Sequence, residues 1–570
     1  MIYLDRYNEW LRSPYIDQDI KEELKTISGN QEEIKDRFYK NLEFGTGGMR
    51  GVIGAGTNRI NKHIVARAIQ GLADFINQSE RENKSCVIAH DSRHKSKDFS
   101  VMAARVLAAS GVKTYLYDGI RSTPELSFAV RELGCTAGIV FTASHNPPEY
   151  NGFKVYWDYG CQMLPEMAEE LVEMIEKVSF ESIQTISYTD ALDKGDIVLL
   201  GHDIDDKFIN NVKAMRLRKN LDKDIKIVYT PLHGTGSVPV RRVLRECGYD
   251  KVFLVEEQLE PDPNFTTVRY PNPEDEKAFE FAYKKAVEVD ADIVIANDPD
   301  ADRVGLSVKS ESGEYKLLSG NQVGPLFINY ILSTLKEKNS MPTNPLVIKT
   351  IVTSELGRKV AENYSAACLD TLTGFKYIGE KMELFAKTGE KDFIIGYEES
   401  IGYTMSPFVR DKDAITMTLI ACEMAAYYKM LRSDLLNELE NLYVQHGYYV
   451  DDLRSLTMEG KEGGEKIIQI MEHFRNAKID HICGFKVASI SDYQTGKIKN
   501  MMENKLMNTG LPESNVLKFL LDNGSWFVLR PSGTEPKIKI YFSITGKDID
   551  TAKTVSKSLI NEVMDIISQI

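Results

Sequence analysis

Four segments of the chain carry residue types whose spacing suits phosphoryl chemistry. In TASHNPPEYNGFK (142–154), small residues flank Ser144, and His145 and Lys154 lie near it in sequence. A serine nucleophile needs a base or a metal to activate it. A polar turn capping a strand would have the same composition, so this segment alone does not decide. The second segment is Asp298-Pro-Asp300-Ala-Asp302-Arg303. Three carboxylates at alternate positions repel one another, and a hard divalent cation with oxygen ligands relieves the repulsion. The loop departs from an EF-hand, with Arg303 at its sixth position instead of Gly and Lys309 at its twelfth instead of Glu. Three protein oxygens leave room for phosphate oxygen and water, which suits Mg²⁺; a solvated acidic turn is the plain alternative.

The third segment, GYEESIGYTMSPFVRDKDA (396–414), sets Glu398 and Ser400 two residues apart. On an extended segment they project to one side. A carboxylate and a hydroxyl then suit adjacent sugar hydroxyls. Arg410 and Lys412 add positive charge nearby. A helix-entry loop with acidic caps is the other reading. The fourth segment is Arg530-Pro-Ser532-Gly533-Thr534-Glu-Pro-Lys537. Gly533 permits close backbone approach, Ser532 and Thr534 donate hydrogen bonds, and Arg530 can grip a phosphate bidentately. It lacks the Walker A pattern, and a hairpin turn with a charged rim would also fit. GTGGMRG (45–51) follows a helical pattern and no strand, which excludes a dinucleotide fingerprint. Arg50 on that Gly-rich loop still suits a phosphate contact.

The elements around these loops follow from periodicity. Residues 1–43 carry apolar positions at three-to-four spacing, which predicts helix. Beyond them, apolar strand runs such as CVIAHDSR (86–93), TAGIVFTAS (136–144) and VDADIVIAND (289–298) alternate with helical stretches to about residue 440. That alternation predicts mostly parallel sheets covered by helices on both faces. In such sheets ligands bind beyond the carboxyl ends of strands, where Ser144 and the aspartates fall. The last part reads as α+β, with WFVL and KIKIYF as strands and a final helix over 549–568 that puts Val555, Leu559, Val563 and Ile567 on one face.

The 570 residues suggest about three to five domains. A net charge of −14 argues against nucleic-acid binding through a basic field, so Lys and Arg must cluster locally to handle phosphate. Seven Cys without CxxC spacing fit reduced thiols. The N-terminus has no apolar signal region, and no run approaches about 20 apolar residues, so a cytoplasmic protein without a membrane span is expected.

Together TASHNP, DPDADR, GYEESIG and RPSGTEPK, in this order, resemble the loops of the α-D-phosphohexomutase superfamily. FGTGGMRG, NGFK, PLHGTG and TLTGFK add to the resemblance, which covers roughly residues 40–545. The chain is most similar to the long phosphoglucomutase and phosphopentomutase branch. The resemblance implies four domains around a central cleft, with three related α/β domains of mixed, mostly parallel sheets and a C-terminal α+β domain. Their expected bounds are residues 1–205, 206–320, 321–445 and 446–570.

It further implies a phosphoserine at Ser144 whose phosphate completes the shell of one Mg²⁺ per chain held by Asp298, Asp300 and Asp302. It makes Lys154 a proton-transfer group and sets Arg50 and His145 beside the transferring phosphate. Arg303, Lys376, Glu398, Ser400, Lys412, Arg530, Ser532, Gly533 and Thr534 become substrate contacts. Some members carry a histidine after Glu-x-Ser, where this chain has Gly402 and Tyr403, so the second proton-transfer group stays open, with Lys412 a candidate.

The implied activity interconverts glucose 1-phosphate and glucose 6-phosphate through glucose 1,6-bisphosphate. Pentose and mannose phosphates are alternative substrates. A serine-dependent sugar phosphatase and a non-catalytic sugar-phosphate sensor are the other classes. A lowered pKa would ease proton transfer by Lys154. The oligomeric state is not legible in the sequence.

Overall fold

The structure, a computed structural model, describes residues 2–45, 47–458, 460–532 and 537–570. The chain divides into two compact units, residues 1–319 with 375–432 and residues 320–374 with 433–570.

The first unit opens with helices Ile2–Arg12, Gln18–Thr26 and Gln31–Phe38, as the N-terminal periodicity predicts. Their buried aromatics meet edge-on, with Trp10 and Phe38 rings 5.7 Å apart. A seven-stranded sheet follows, in the order Phe44–Gly45, Gly48–Val52, Tyr150–Trp157, Ala137–Phe141, Ser85–His90, Lys113–Tyr117, Ile197–Leu200. The last four strands run parallel, and the first three pair antiparallel. Ser85–His90 and Ala137–Phe141 are buried throughout, as strands of a doubly covered parallel sheet must be.

The apolar pattern did not mark two strands of this sheet, Gly48–Val52 and Tyr150–Trp157. Their glycines conceal them. A Cβ on Gly152 would lie 2.1 Å from the Met49 carbonyl oxygen, and one on Gly48 would lie 2.4 Å from that of Phe153. Glycine serves close strand pairing here, and residues 48–51 of GTGGMRG belong to the sheet rather than to a break before it.

A second, five-stranded sheet runs Tyr315–Leu318, Val304–Lys309, Ile293–Asn297, Ile227–Thr230, Val252–Leu254. The last three are parallel, and the chain reverses after Asn297 so that Val304–Lys309 returns antiparallel. The unit is completed by helix Phe375–Thr388, the hairpin Asp392–Tyr397 with Tyr403–Thr404, and helix Ala414–Met430. Asp413 caps that last helix by accepting from the Ile415 and Thr416 amides. The segment at Glu398–Ser400 is not extended. It turns, with the Glu398 amide donating to the Gly402 carbonyl and Ile401 at φ 52°, because the two strands on either side must pair as a hairpin.

In the second unit, strands Pro345–Thr350 and Ala367–Thr371 pair in parallel beside helices Gly320–Glu337, Leu356–Asn363 and Leu435–His446. An eight-stranded sheet, antiparallel in all its described pairs, makes up the C-terminal part, where Tyr448–Thr457 runs in continuous register with Lys537–Gly546. Helix Ile549–Ser568 follows, capped by Asp548, and buries Leu559, Val563 and Ile567 in a core with Phe519, Phe527 and Phe542. This is the α+β arrangement expected for the chain's end.

Candidate functional site

The Ser144 loop begins where the parallel strand Ala137–Phe141 ends. Ser144 sits at φ 51°, in the left-handed region that non-glycine residues rarely enter. Its amide donates to Thr142 Oγ1 at 2.8 Å. Its hydroxyl donates to Asp298 Oδ2 at 2.8 Å and lies 3.2 Å from His145 Nδ1. The serine and the acidic loop, 154 residues apart, therefore meet in one buried place.

The acidic loop leaves the carboxyl end of strand Ile293–Asn297 and turns at Ala301, φ 51°. This turn lets Asp298 Oδ1 accept the amides of Asp302 and Arg303 at 3.1 and 3.0 Å. PLHGTG supports it from below: the Thr235 amide and hydroxyl both donate to the Pro299 carbonyl, and a Cβ on Gly234 would lie 2.4 Å from Pro299 Cα. Carboxylate oxygens of Asp298, Asp300 and Asp302 lie within 4.8 Å of one another, and all three residues are buried. Asp300 Oδ1 and Asp302 Oδ1 are buried without a hydrogen-bond partner. Buried carboxylate oxygens without donors fit a hard, oxygen-seeking cation such as Mg²⁺.

The charges around the triplet set its titration. Burial, then the like charges of Asp300 and Asp302, hold the Asp298 carboxyl well above its usual range. Burial also acts to raise Asp300 and Asp302, but in Asp300 the ammonium of Lys154, and in Asp302 those of Lys154 and Lys412, outweigh it and hold both low. Lys154, on strand Tyr150–Trp157, donates to Asp300 Oδ2 at 2.8 Å and Asp302 Oδ2 at 3.0 Å. Lys412 Nζ stands 3.2 Å from Asp302 Oδ2. Burial would lower both lysines, yet the carboxylates facing them raise both. Lys154 therefore does not have the lowered pKa that would ease proton transfer, since two carboxylates favour its charged form. Burial, then the charges of Arg303 and Arg50, hold His145 well below its ordinary value, so its imidazole is neutral.

The other residues singled out in the sequence each have contacts or surroundings of their own. Arg50 Nη1 donates to Asn146 Oδ1 at 3.0 Å, tying its strand to the serine loop. Arg303 turns to Glu274, 3.0 Å away, while its amide holds Asp298. Glu398 is buried on the hairpin turn, close enough for its charge to act on Lys412 and Arg303. Ser400, on the same turn, has no described contact with the triplet. Lys376 is buried in the first turn of helix Phe375–Thr388, and burial pulls its pKa down to about 8. Arg530 and Ser532 belong to the second unit, where Arg530 Nη1 lies 3.5 Å from Tyr541 Oη and the Ser532 amide donates to the Lys537 carbonyl. Gly533 and Thr534 lie outside the described residues.

Several partners were missed. Thr123, in the first turn of helix Thr123–Glu132, donates its amide to the Asp300 carbonyl and its hydroxyl to Asp300 Oδ2 at 3.0 Å. Asp411 accepts from Tyr156 Oη at 2.6 Å and from Lys412 Nζ at 3.1 Å, fixing the lysine that faces Asp302. Arg93 reaches into the serine loop from the end of strand Ser85–His90. The rule that pointed to Ser144, a polar residue just past the carboxyl end of a buried strand, applied equally to Asp91-Ser92-Arg93.

Comparison with known proteins agrees with this geometry. Residues 41–182, 206–313 and 319–443 match phosphoglucomutase/phosphomannomutase alpha/beta/alpha domains I, II and III, and residues 486–552 match the C-terminal domain of the same family. A phosphoglucomutase of Staphylococcus saprophyticus is 38% identical over 91% of this chain and 93% of its own length. One from Staphylococcus epidermidis is 36% identical over 97% of this chain and 100% of its own. The crystal structure of a phosphoglucomutase/phosphomannomutase family protein from Burkholderia thailandensis shares the fold, with a TM-score of 0.66 at 18% identity over 92% of this chain and 97% of that one. The chain belongs to the phosphoglucomutase/phosphomannomutase family of the α-D-phosphohexomutase superfamily.

Proposed function

We propose that this phosphosugar mutase interconverts glucose 1-phosphate and glucose 6-phosphate through a phosphoserine at Ser144 and a bound glucose 1,6-bisphosphate. The observation that carries the reading is the 2.8 Å approach of the Ser144 hydroxyl to a buried carboxylate triplet with unpartnered oxygens, in a chain 36–38% identical to phosphoglucomutases. Asp298, Asp300 and Asp302 would hold one Mg²⁺. When bound, it supplies Lewis-acid stabilisation of charge on the transferring group.

In the first half-reaction the bond from Ser144 Oγ to phosphorus breaks and one from a sugar hydroxyl oxygen to phosphorus forms. In the second, the other phosphoryl group of the bisphosphate returns to Ser144. Such transfer needs mainly positioning and electrostatic stabilisation. Arg50 and neutral His145 flank the transferring oxygens. Lys154, held as an ammonium by Asp300 and Asp302, is poised to give a proton to the departing sugar oxygen. To accept the hydroxyl proton in the opposite step it must first lose those carboxylates, and a cation competes for the same oxygens. Lys412 is the second candidate for proton transfer, steered by Asp411.

Glu398, Ser400, Arg303 and Lys376 are assigned to the sugar phosphate, and Arg530, Ser532, Gly533 and Thr534 to the phosphate that is not reacting. The domain bounds given above and a cytoplasmic location belong to the same proposal. Among the described residues no helix is long and apolar enough to cross a membrane. The test compares kcat/KM on glucose 1-phosphate, mannose 1-phosphate and ribose 1-phosphate. A preference of about tenfold or more for the glucose ester is expected. A higher value on either other ester overturns the substrate assignment. Release of inorganic phosphate in excess of isomer overturns the mutase reading.

A further inference from the structure

Arg93 is a buried guanidinium that the mechanism above does not use; its side chain has 0% exposure. It lies just beyond strand Ser85–His90 and is surrounded by the serine loop. Nη1 donates to the carbonyls of Pro147 at 2.8 Å and Tyr150 at 3.1 Å. Nη2 donates to the carbonyls of Ser144 and Asn146, both at 2.5 Å. One planar fork thus collects four carbonyls from residues 144–150. Its Nε faces Asp91 Oδ2 at 3.3 Å, and the Phe265 ring centroid lies 4.8 Å from the guanidinium carbon. Asp91 is itself held, accepting the Arg93 amide at 2.9 Å and the Ser96 hydroxyl at 2.7 Å.

The arrangement bears directly on the nucleophile. The Ser144 carbonyl is tied to Arg93 and its amide to Thr142 Oγ1, so both backbone poles of the residue are pinned. Only χ1 remains to aim the hydroxyl, and the hydroxyl meets Asp298 Oδ2. The left-handed backbone of Ser144 is strained and persists only where its surroundings over-determine it. Leaving seven loop residues to find this shape unaided would cost backbone entropy at each of them.

We infer that Arg93 is a positioning residue for phosphoryl transfer: its guanidinium gathers the loop carbonyls so that the Ser144 oxygen is delivered to the carboxylate triplet. The inference rests on the phosphoserine reading. A lysine keeps the charge but has a single ammonium on a flexible stem, and it cannot serve four carbonyls in a planar fork. Displacements of about 1 Å at a reacting atom cost on the order of 100-fold in rate.

The test uses the full chain, treated with glucose 1,6-bisphosphate, in the variants R93K, D91N and S144A. Measurements are kcat, KM, the unfolding midpoint and inorganic phosphate released per turnover. For R93K, kcat should fall about 100-fold with KM within about threefold, and phosphate release per turnover should rise because a misplaced phosphoserine loses its protected geometry. D91N keeps the fork and all four carbonyls but loosens its aim. It should show the same split at about tenfold, and it decides the matter if R93K does not fold. The inference is overturned if kcat per folded, phosphorylated molecule stays within threefold of the parent in the variant that folds, or if the loss only follows the folded fraction. An active S144A would instead overturn the phosphoserine reading, so the two failures are distinguishable.

Discussion

Two clusters in this chain, one in each compact unit, mix carboxylates and cations in opposite proportion. Around the triplet, the carboxylates of Asp298, Asp300, Asp302 and Asp411 face Lys154, Lys412 and Arg303. Acid is in excess, and two carboxylate oxygens have no donor. In the second unit, Glu355 and Asp370 face Lys349, Arg358 and Lys518. Base is in excess there. Glu355 has Arg358 at 2.8 Å, Lys349 at 3.1 Å and Lys518 at 3.6 Å, and Asp370 has Arg358 at 2.7 Å and Lys349 at 3.0 Å. The comparison separates a site from a brace. Surplus buried carboxylate invites a cation to complete it. Surplus buried ammonium leaves one lysine to bear the desolvation, and the excess falls on Lys518.

The largest effect expected from this contrast is at the nucleophile. Ser144→Ala should lower kcat at least ~1000-fold, because it removes the oxygen that carries the phosphoryl group in the proposed scheme. Steady-state assay with mass measurement of the phosphorylated chain checks it, and near-native turnover with no phosphoserine would break the covalent scheme.

A smaller effect separates the two clusters thermodynamically. If the triplet is a cation site, Mg²⁺ at 100 times its dissociation constant stabilises the folded chain by about 2.7 kcal/mol. Asp300→Asn should abolish that Mg²⁺-dependent shift in the unfolding midpoint. In EDTA the variant should unfold within about 1 kcal/mol of the parent, since relief of carboxylate repulsion offsets the lost Lys154 pairing. A Mg²⁺ shift that survives the substitution would move the metal site elsewhere.

What the sequence made legible follows from how local each feature is. Asp298, Asp300 and Asp302 lie within five residues behind an unmistakable buried strand, so their meeting needed no tertiary knowledge. Ser144 was marked by its strand end and by the prolines after it. The pKa of Lys154 was not legible, because its partners stand 146 and 148 residues away. Arg93 and Thr123 were hidden for the same reason, with partners 51–57 and 177 residues distant. Arg50 was placed on a loop because glycines that allow close strand pairing look, in one dimension, like a break. The Glu398–Ser400 spacing left the local shape open, because a two-residue spacing carries meaning only on a strand, and the chain reverses there at Ile401.

The smallest effect tests the brace. Lys518 donates to the Ile351 carbonyl at 2.8 Å and lies 4.4 Å from the Trp526 ring centroid. Lys349, Arg358, Glu355 and Asp370 are the charged groups facing it. Burial first, then the charge of Lys349, pull its pKa down to about 8. The unfolded chain therefore holds this proton up to about pH 10.4, while the folded chain releases it near pH 8. Between those values the unfolded state binds more protons, so stability rises with pH. The cost of burying the charge is fully present below pH 8 and is relieved as pH climbs toward 10. Lys518→Met removes the charge at nearly constant volume and leaves Glu355 its two closer cations. It should raise stability at pH 7, where the buried charge costs most, and flatten the slope between pH 8 and 10. Urea unfolding of both chains across that range measures it. A slope unchanged by the substitution would show that the excess charge of this cluster is borne by another group, and the contrast between the two clusters would then rest on the triplet alone.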